Sequence, residues 1–253
     1  MLEAYLRTRR DRKDILLMTH IVLGYPSFDA SFRIVEEMVS AGVDLMELQI
    51  PFSEPIADGP VILHANQKAL AAGSTVSRCI DFAHKVGAAF DIPFLFMSYY
   101  NIPFQYGLEA FAEQMVEAGL KGAIVPDLPP EEGSEYLSAL RCHGLAPVFI
   151  ITPTTPFERM KTLGALGEGF VYCIARKGIT GADTDFSERL DAYLALCRKA
   201  SRLPLAVGFG VKDKEDVDFL RGKVDIAVIG TQTIRLIEES GIEAVGGFIR
   251  GLR

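Results

Sequence analysis

The chain has 253 residues, of which 49% are hydrophobic and 23% charged, a globular composition that excludes a disordered polymer. Its net charge of −7 argues against a nucleic-acid or anionic-membrane surface, but not against a phosphate ligand, which one helix N-terminus can hold inside an acidic protein. The four cysteines, Cys79, Cys142, Cys173 and Cys197, form no CxxC pair, so neither a metal site nor a disulfide framework is expected.

The N-terminus, MLEAYLRTRRDRKD, is charged and has no apolar h-region, so it does not read as a signal peptide. No apolar run reaches the ~18 residues that a membrane span needs. A cytoplasmic protein is the expectation. Leu2 to Lys13 reads as an extra helix capping the bottom of the domain.

Eight short apolar runs then read as strands: LLMTHIVLG, DLMELQI, IPFLFMSYY, KGAIVPD, PVFIIT, GFVYCI, LPLAVGFG and VDIAVIG. Several are apolar almost throughout, as strands buried on both faces should be. Helical spacing fills the intervals. Phe28, Phe32, Val35 and Val39 recur at fours and threes before Gly42. Leu108, Phe111, Met115 and Val116 lead to Gly119, and Leu190, Tyr193 and Leu194 lead to Cys197. With no linker or composition break, residues 1–253 are expected to form one α/β domain, a closed (β/α)8 TIM barrel. The rival is an open doubly wound sheet, but the first βα turn, LGYPSFD, lacks GxGxxG.

Two connections after strands are long and non-helical: PFSEPIADGP after the second strand and KGITGADTD after the sixth. In a barrel such loops lie at the C-terminal face, where active sites are built. Alternation puts Leu45, Glu47 and Gln49 on one face of the second strand, and Met46, Leu48 and Ile50 on the face that packs on helices. Glu47 therefore points inward near the C-terminal end. A partly desolvated carboxylate there suits a general acid or base, while a buried glutamate paired with lysine or arginine is the structural alternative. Asp58 follows in ADGP, where it could equally be a turn-former. Gly208 and Gly210 after the seventh strand, Gly230 and Thr231 after the eighth, and Thr180 with Gly181 after the sixth suggest a phosphate site, unless these glycines only make turns.

Of the four histidines, His64, His84 and His143 read as surface residues. His20 lies in the first strand on a face with Met18 and Val22, a position more often filled by a hydrogen-bonded core residue than by a catalyst. The aromatic cluster SYYNIPFQYG, with Tyr99, could shape a flat apolar pocket or simply pack. There is no triad and no metal cluster in the pattern.

ELQIPFSEPIADGP, from Glu47 to Pro60, resembles the signature of the tryptophan synthase α subunit family, usually ELGIPFSDPxADGP. LGYP, YYN with FQYG, VPDLPPEE, APVFI with TPTTP, ARKGITGAD, VGFGV and VIGTQTIRLIEE extend the resemblance over nearly the whole chain. The resemblance implies a lyase that cleaves indole-3-glycerol phosphate to indole and glyceraldehyde 3-phosphate by retro-aldol chemistry. It implies Glu47 as the acid/base and Asp58 as acceptor of the indole N–H. Tyr172 becomes a site tyrosine, Phe209 a pocket wall, and Arg176 and Thr180 parts of a closing loop. Phosphate would meet backbone N–H groups of Gly181, Gly210, Gly230 and Thr231. No cofactor is implied for this chain. Pyridoxal phosphate would belong to a β subunit that receives indole through a tunnel, in an α2β2 complex docked in part through Pro51 to Pro60.

Five residues depart from the family pattern: Gln49 for glycine, Glu54 for aspartate, His20 for an apolar aromatic, Val22 for threonine and Thr231 for serine. Gln49 faces inward and is expected either to crowd the indole pocket or to hydrogen-bond Glu47. Glu54 bears on the partner contact. The departures keep two other readings open. One is a phosphate-binding barrel with an altered substrate. The other is a weakly active subunit that mainly activates a β-type partner.

Overall fold

Apolar runs that must bury both faces, joined by amphipathic crossovers, close on themselves into a barrel. The computed structural model describes residues 2–175 and 183–253. The strands are β1 Leu16–Val22, β2 Leu45–Gln49, β3 Phe94–Met97, β4 Gly122–Ile124, β5 Ala146–Val148, β6 Ile150–Ile151, β7 Val171–Ile174, β8 Leu205–Gly208 and β9 Ile226–Ile229. The helices are α1 Leu2–Arg10, α2 Phe28–Ser40, α3 Pro60–Ala71, α4 Val76–Ala89, α5 Asn101–Tyr106, α6 Leu108–Glu117, α7 Ser134–Cys142, α8 Phe157–Leu166, α9 Asp183–Ala200, α10 Lys214–Leu220, α11 Thr231–Ser240 and α12 Glu243–Gly251.

All pairings are parallel, in the order β5-β4-β3-β2-β1-β9-β8-β7-β6. The fifth of the eight expected strands is interrupted at Phe149 and so counts as two pieces, β5 and β6. Chain continuity through Phe149 closes the ring into the (β/α)8 barrel. The open doubly wound alternative is thereby excluded.

Two apolar layers follow from the period-two alternation. Met46, Leu48 and Ile50 pack outward with Ile34, Val35 and Met38 of α2 and with the other helices. Leu16, Met18, Leu45, Leu95, Ala206 and Ile226 fill the barrel interior. Leu2 and Leu6 of α1 close this inner layer from below, as expected for the extra N-terminal helix. The helical stripes differ in detail: on α6 Ala112 is buried with Phe111 and Met115, while Val116 is 44% exposed. A 3.6-residue period turns Val116 about 100° round the helix from Met115, to the edge of the core-facing stripe.

At the lower end Asp44 is completely buried. It accepts from Leu17 N–H at 3.0 Å and pairs with Lys13, with Arg253 at 2.8 Å and with Arg9 at 3.7 Å. Among the described residues no helix is long and apolar enough to cross a membrane.

Candidate active site

The upper end of the interior is polar where the lower end is apolar. β1 and β2 run in register with His20 opposite Glu47 and Val22 opposite Gln49. The inward face of β2 is thus Leu45, Glu47, Gln49 in ascending order. Glu47 is 3% exposed. Its Oε1 lies 3.0 Å from His20 Nδ1, and the Tyr172 hydroxyl donates to the same oxygen at 3.4 Å. Among the described residues no lysine or arginine pairs with Glu47, in contrast to Asp44 with its three cations. Glu47 is thus, among the described residues, a buried carboxylate without a lysine or arginine to neutralise it, and Asp44 is one with three cations.

Tyr172 reaches Glu47 across the barrel because β8 supplies Gly208 beside it. A Cβ at Gly208 would sit 3.2 Å from the Tyr172 ring. Gly208 therefore makes room for the Tyr172 side chain, and it also lines the cavity at the C-terminal face.

Asp58 is brought to the same place by the loop after β2. Phe52 N–H donates to Asn66 Oδ1 of α3 at 2.9 Å, and the Phe52 ring stacks on Tyr99 with centroids 5.2 Å apart. Ala57 N–H donates to the Tyr99 hydroxyl at 3.0 Å. Pro60 then starts α3, with Gly59 as its N-cap. On this scaffold Asp58 Oδ2 accepts from Gln49 Nε2 at 2.6 Å and from the Tyr99 hydroxyl at 3.2 Å.

Burial pushes the Asp58 carboxyl above its usual pKa, and the Glu47 charge adds to this; His20, Gln49 and Tyr99 hold it back. For His20, burial by itself lowers the pKa. The hydrogen bond and charge of Glu47, the charge of Asp58 and the Gln49 amide outweigh it, and the ring sits above the ordinary imidazole value. Burial, reinforced by nearby carboxylates, raises the hydroxyls of Tyr172 and Tyr99, so both stay neutral donors.

These groups border a cavity of about 720 Å³ at the C-terminal face. His20, Glu47, Asp58, Tyr172, Phe209, Gly210, Gly230 and Thr231 all line it. Gln49 and Tyr99 do not line it; they stand behind Asp58 and hold its carboxylate. The expected bond from Gln49 to Glu47 is not the one formed, because the side chain extends past the strand end toward the loop. Arg176, Thr180 and Gly181 lie outside the described residues. Sequence pattern did not single out Arg235, which lines the cavity one turn into α11, or the apolar walls Met97, Ile124, Ile150 and Val228. A positively charged residue four positions after Thr231 was the available signal. Among the described residues no group of three or more His, Cys, Asp or Glu side chains could hold a metal.

The cavity also takes in the start of α11. Gly230 is the N-cap of that helix, and Gly210 has φ +89°, open space around it and no steric bar to a ligand. The N–H groups that open a helix have no intrahelical partner and favour an anion.

Two hydrogen-bonded carboxylates at the mouth of a parallel barrel, sharing their cavity with an anion-favouring helix start, define an acid–base enzyme of the (β/α)8 class. The family model for the tryptophan synthase alpha chain matches residues 6–246. The chain belongs to that family. It is 63% identical over 253 residues to the tryptophan synthase alpha chain of Syntrophotalea carbinolica, covering 100% of both chains. It is 61% identical over 252 residues to that of Desulforapulum autotrophicum, again covering 100% of both. The crystal structure of the tryptophan synthase subunit alpha from Legionella pneumophila superposes with a TM-score of 0.90 at 30% identity, covering 99% of this chain and 96% of that one.

Proposed function

We propose that this chain is the lyase half of tryptophan synthase, cleaving indole-3-glycerol phosphate to indole and glyceraldehyde 3-phosphate. The observation that carries this is the meeting of Glu47 and Asp58, from a strand and from the loop after it, at one cavity large enough for the substrate. Cleavage requires a proton on indole C3, which turns the ring into an electrophilic indolenine, and removal of the proton from the glycerol hydroxyl as the C–C bond breaks. Glu47 serves both transfers. Asp58, held by Gln49 and Tyr99 through Oδ2, accepts the indole N–H and stabilises the charge developing on the ring. Backbone N–H groups at Gly210, Gly230 and Thr231, with Gly181 outside the described residues, hold the phosphate and fix the bond to be broken. Arg235 adds positive charge at that end of the cavity. By the family resemblance Arg176 and Thr180, outside the described residues, would take part in closing the site, and Phe209 is a wall of the indole pocket.

The chemistry is proton transfer and needs no cofactor in this chain. A β subunit carrying pyridoxal phosphate is the partner, in an α2β2 assembly in the cytoplasm. Ile56, in the loop from Pro51 to Pro60, is 82% exposed, and Phe104 on the next βα connection is 58% exposed. Two large apolar side chains facing solvent on the C-terminal side support docking there. The presence of both carboxylates favours a working lyase over a subunit that only activates its partner.

The test is indole release from indole-3-glycerol phosphate by the purified chain, with and without its cognate β subunit, beside Glu47→Gln. Low activity alone, a rise with β and a loss of at least about two decades in the variant are expected. Undiminished activity in Glu47→Gln overturns the assignment of Glu47.

A further inference from the structure

The lyase reaction as assigned to Glu47 and Asp58 makes no use of His20, yet His20 is built into the site as firmly as Glu47. Each is 3% exposed, each lines the cavity, and they sit opposite one another in the β1–β2 register with Nδ1 and Oε1 3.0 Å apart. The far side of the ring is also informative. His20 Nε2 and Gln49 Oε1 are both buried without a hydrogen-bond partner among the described residues. Imidazolium with an N–H on each nitrogen would give Glu47 one donor and present the other towards the amide side of the site. The groups around the ring are Glu47 and Gln49 from β2, Asp58 from the following loop and Tyr172 from β7. At the β9–α11 corner Gly230 lies close to the His20 side chain, a Cβ there falling 3.4 Å from His20 Cβ, and Thr231 and Arg235 line the same cavity.

We propose that His20 and Glu47 work as a pair holding one proton, His20 being the positioning residue that stores the proton Glu47 delivers. This rests on the lyase reading. An isolated side-chain carboxyl, with an ordinary pKa of about 4.3, is nearly all ionised at neutral pH and so makes a scarce acid. A carboxylate bonded to imidazolium keeps a proton available to much higher pH. Protons and electrons balance over the cycle. The pair's proton passes through Glu47 to indole C3, leaving neutral imidazole and carboxylate. Glu47 then takes the hydroxyl proton while the C–C bonding pair returns to the indolenine ring and the glycerol carbon becomes the aldehyde. The hydrogen bond passes that proton back to His20 Nδ1, and the pair is restored.

The test is the pH profile of indole release, over about pH 5 to 9, for the chain in complex with its β subunit. His20→Asn keeps a side-chain N–H for Glu47 but cannot store a proton, and His20→Phe keeps neither. Wild type is expected to hold its kcat well above about pH 6.5, the ordinary imidazole value, before it declines. His20→Asn is expected to keep KM within about threefold and to lose about tenfold or more in kcat at about pH 8, with activity rising towards acid. A His20→Asn profile superimposable on wild type overturns the proposal while leaving the lyase reading intact. Wild type that releases no indole, alone or with β, overturns both. Thermal unfolding of each variant separates a lost proton store from a lost fold. His20→Asn carries the conclusion if His20→Phe fails to fold.

Discussion

Gln49 donates through Nε2 to Asp58 Oδ2 at 2.6 Å, joining the last inward position of β2 to a residue nine places on in the loop. Gln49 is wholly buried, and the Tyr99 hydroxyl reaches the same oxygen at 3.2 Å. The usual family glycine offers nothing at this position, so here the strand itself fixes the direction of the loop carboxylate. Gln49→Ala should lower kcat/KM for indole release about tenfold, the effect of losing about 1.4 kcal/mol of a hydrogen bond to a charged group. A rate within about twofold of wild type would mean that Tyr99 alone holds Asp58.

Burial of the Asp58 carboxyl carries a cost. Its pKa is raised by burial, so the folded state binds its proton more tightly than the unfolded chain does. The sign comes from linkage: the folded state is favoured most where Asp58 is protonated, and that advantage fades as pH rises through the raised folded value. Asp58→Asn imitates the protonated form. At neutral pH it should raise the thermal midpoint relative to wild type, with the difference shrinking as pH falls through the raised folded value and gone by about pH 4. Indole release should fall by at least about a hundredfold in the same variant, because a neutral amide cannot balance charge on the ring. A lowered midpoint at neutral pH would contradict the buried-charge account.

Asp44 provides the opposite case three residues before Glu47. It is fully buried at the N-terminal end, paired with Lys13, Arg9 and Arg253, and accepts the Leu17 N–H. Asp44→Ala strands that buried N–H and frees three cations that can partly regain water, so the expected loss is about 2–3 kcal/mol in urea unfolding. Turnover of the surviving folded enzyme should stay near wild type, because the barrel bottom serves stability and the chemistry lies at the top. A loss below about 0.5 kcal/mol would assign Asp44 no structural weight.

Much of the fold and half of the site were legible in the residues. Eight apolar runs separated by helical patterns specify a (β/α)8 barrel because each run must bury two faces and each crossover one. Alternation alone turns Glu47 inward and Met46, Leu48 and Ile50 outward, and the structure has them so. The order of the loops fixes that Asp58, Gly210 and Gly230 all come out at the same end. Tertiary structure decided what lies beside what. His20 meets Glu47 because β1 and β2 pair in one particular register, set by packing of the helix between them and not by any local signal. Gln49 faces the side its alternation requires, but whether it reaches Glu47 or Asp58 depends on where the Pro-rich loop is pinned by Tyr99 and Asn66. Phe149 interrupts the fifth strand although it is itself a good strand former, two residues after Pro147. Periodicity is a property of one segment and survives in the sequence. Register, loop anchoring and the pairing of side chains 27 residues apart, as in His20 and Glu47, are properties of several segments at once. Only their packing selects among the arrangements that the sequence allows.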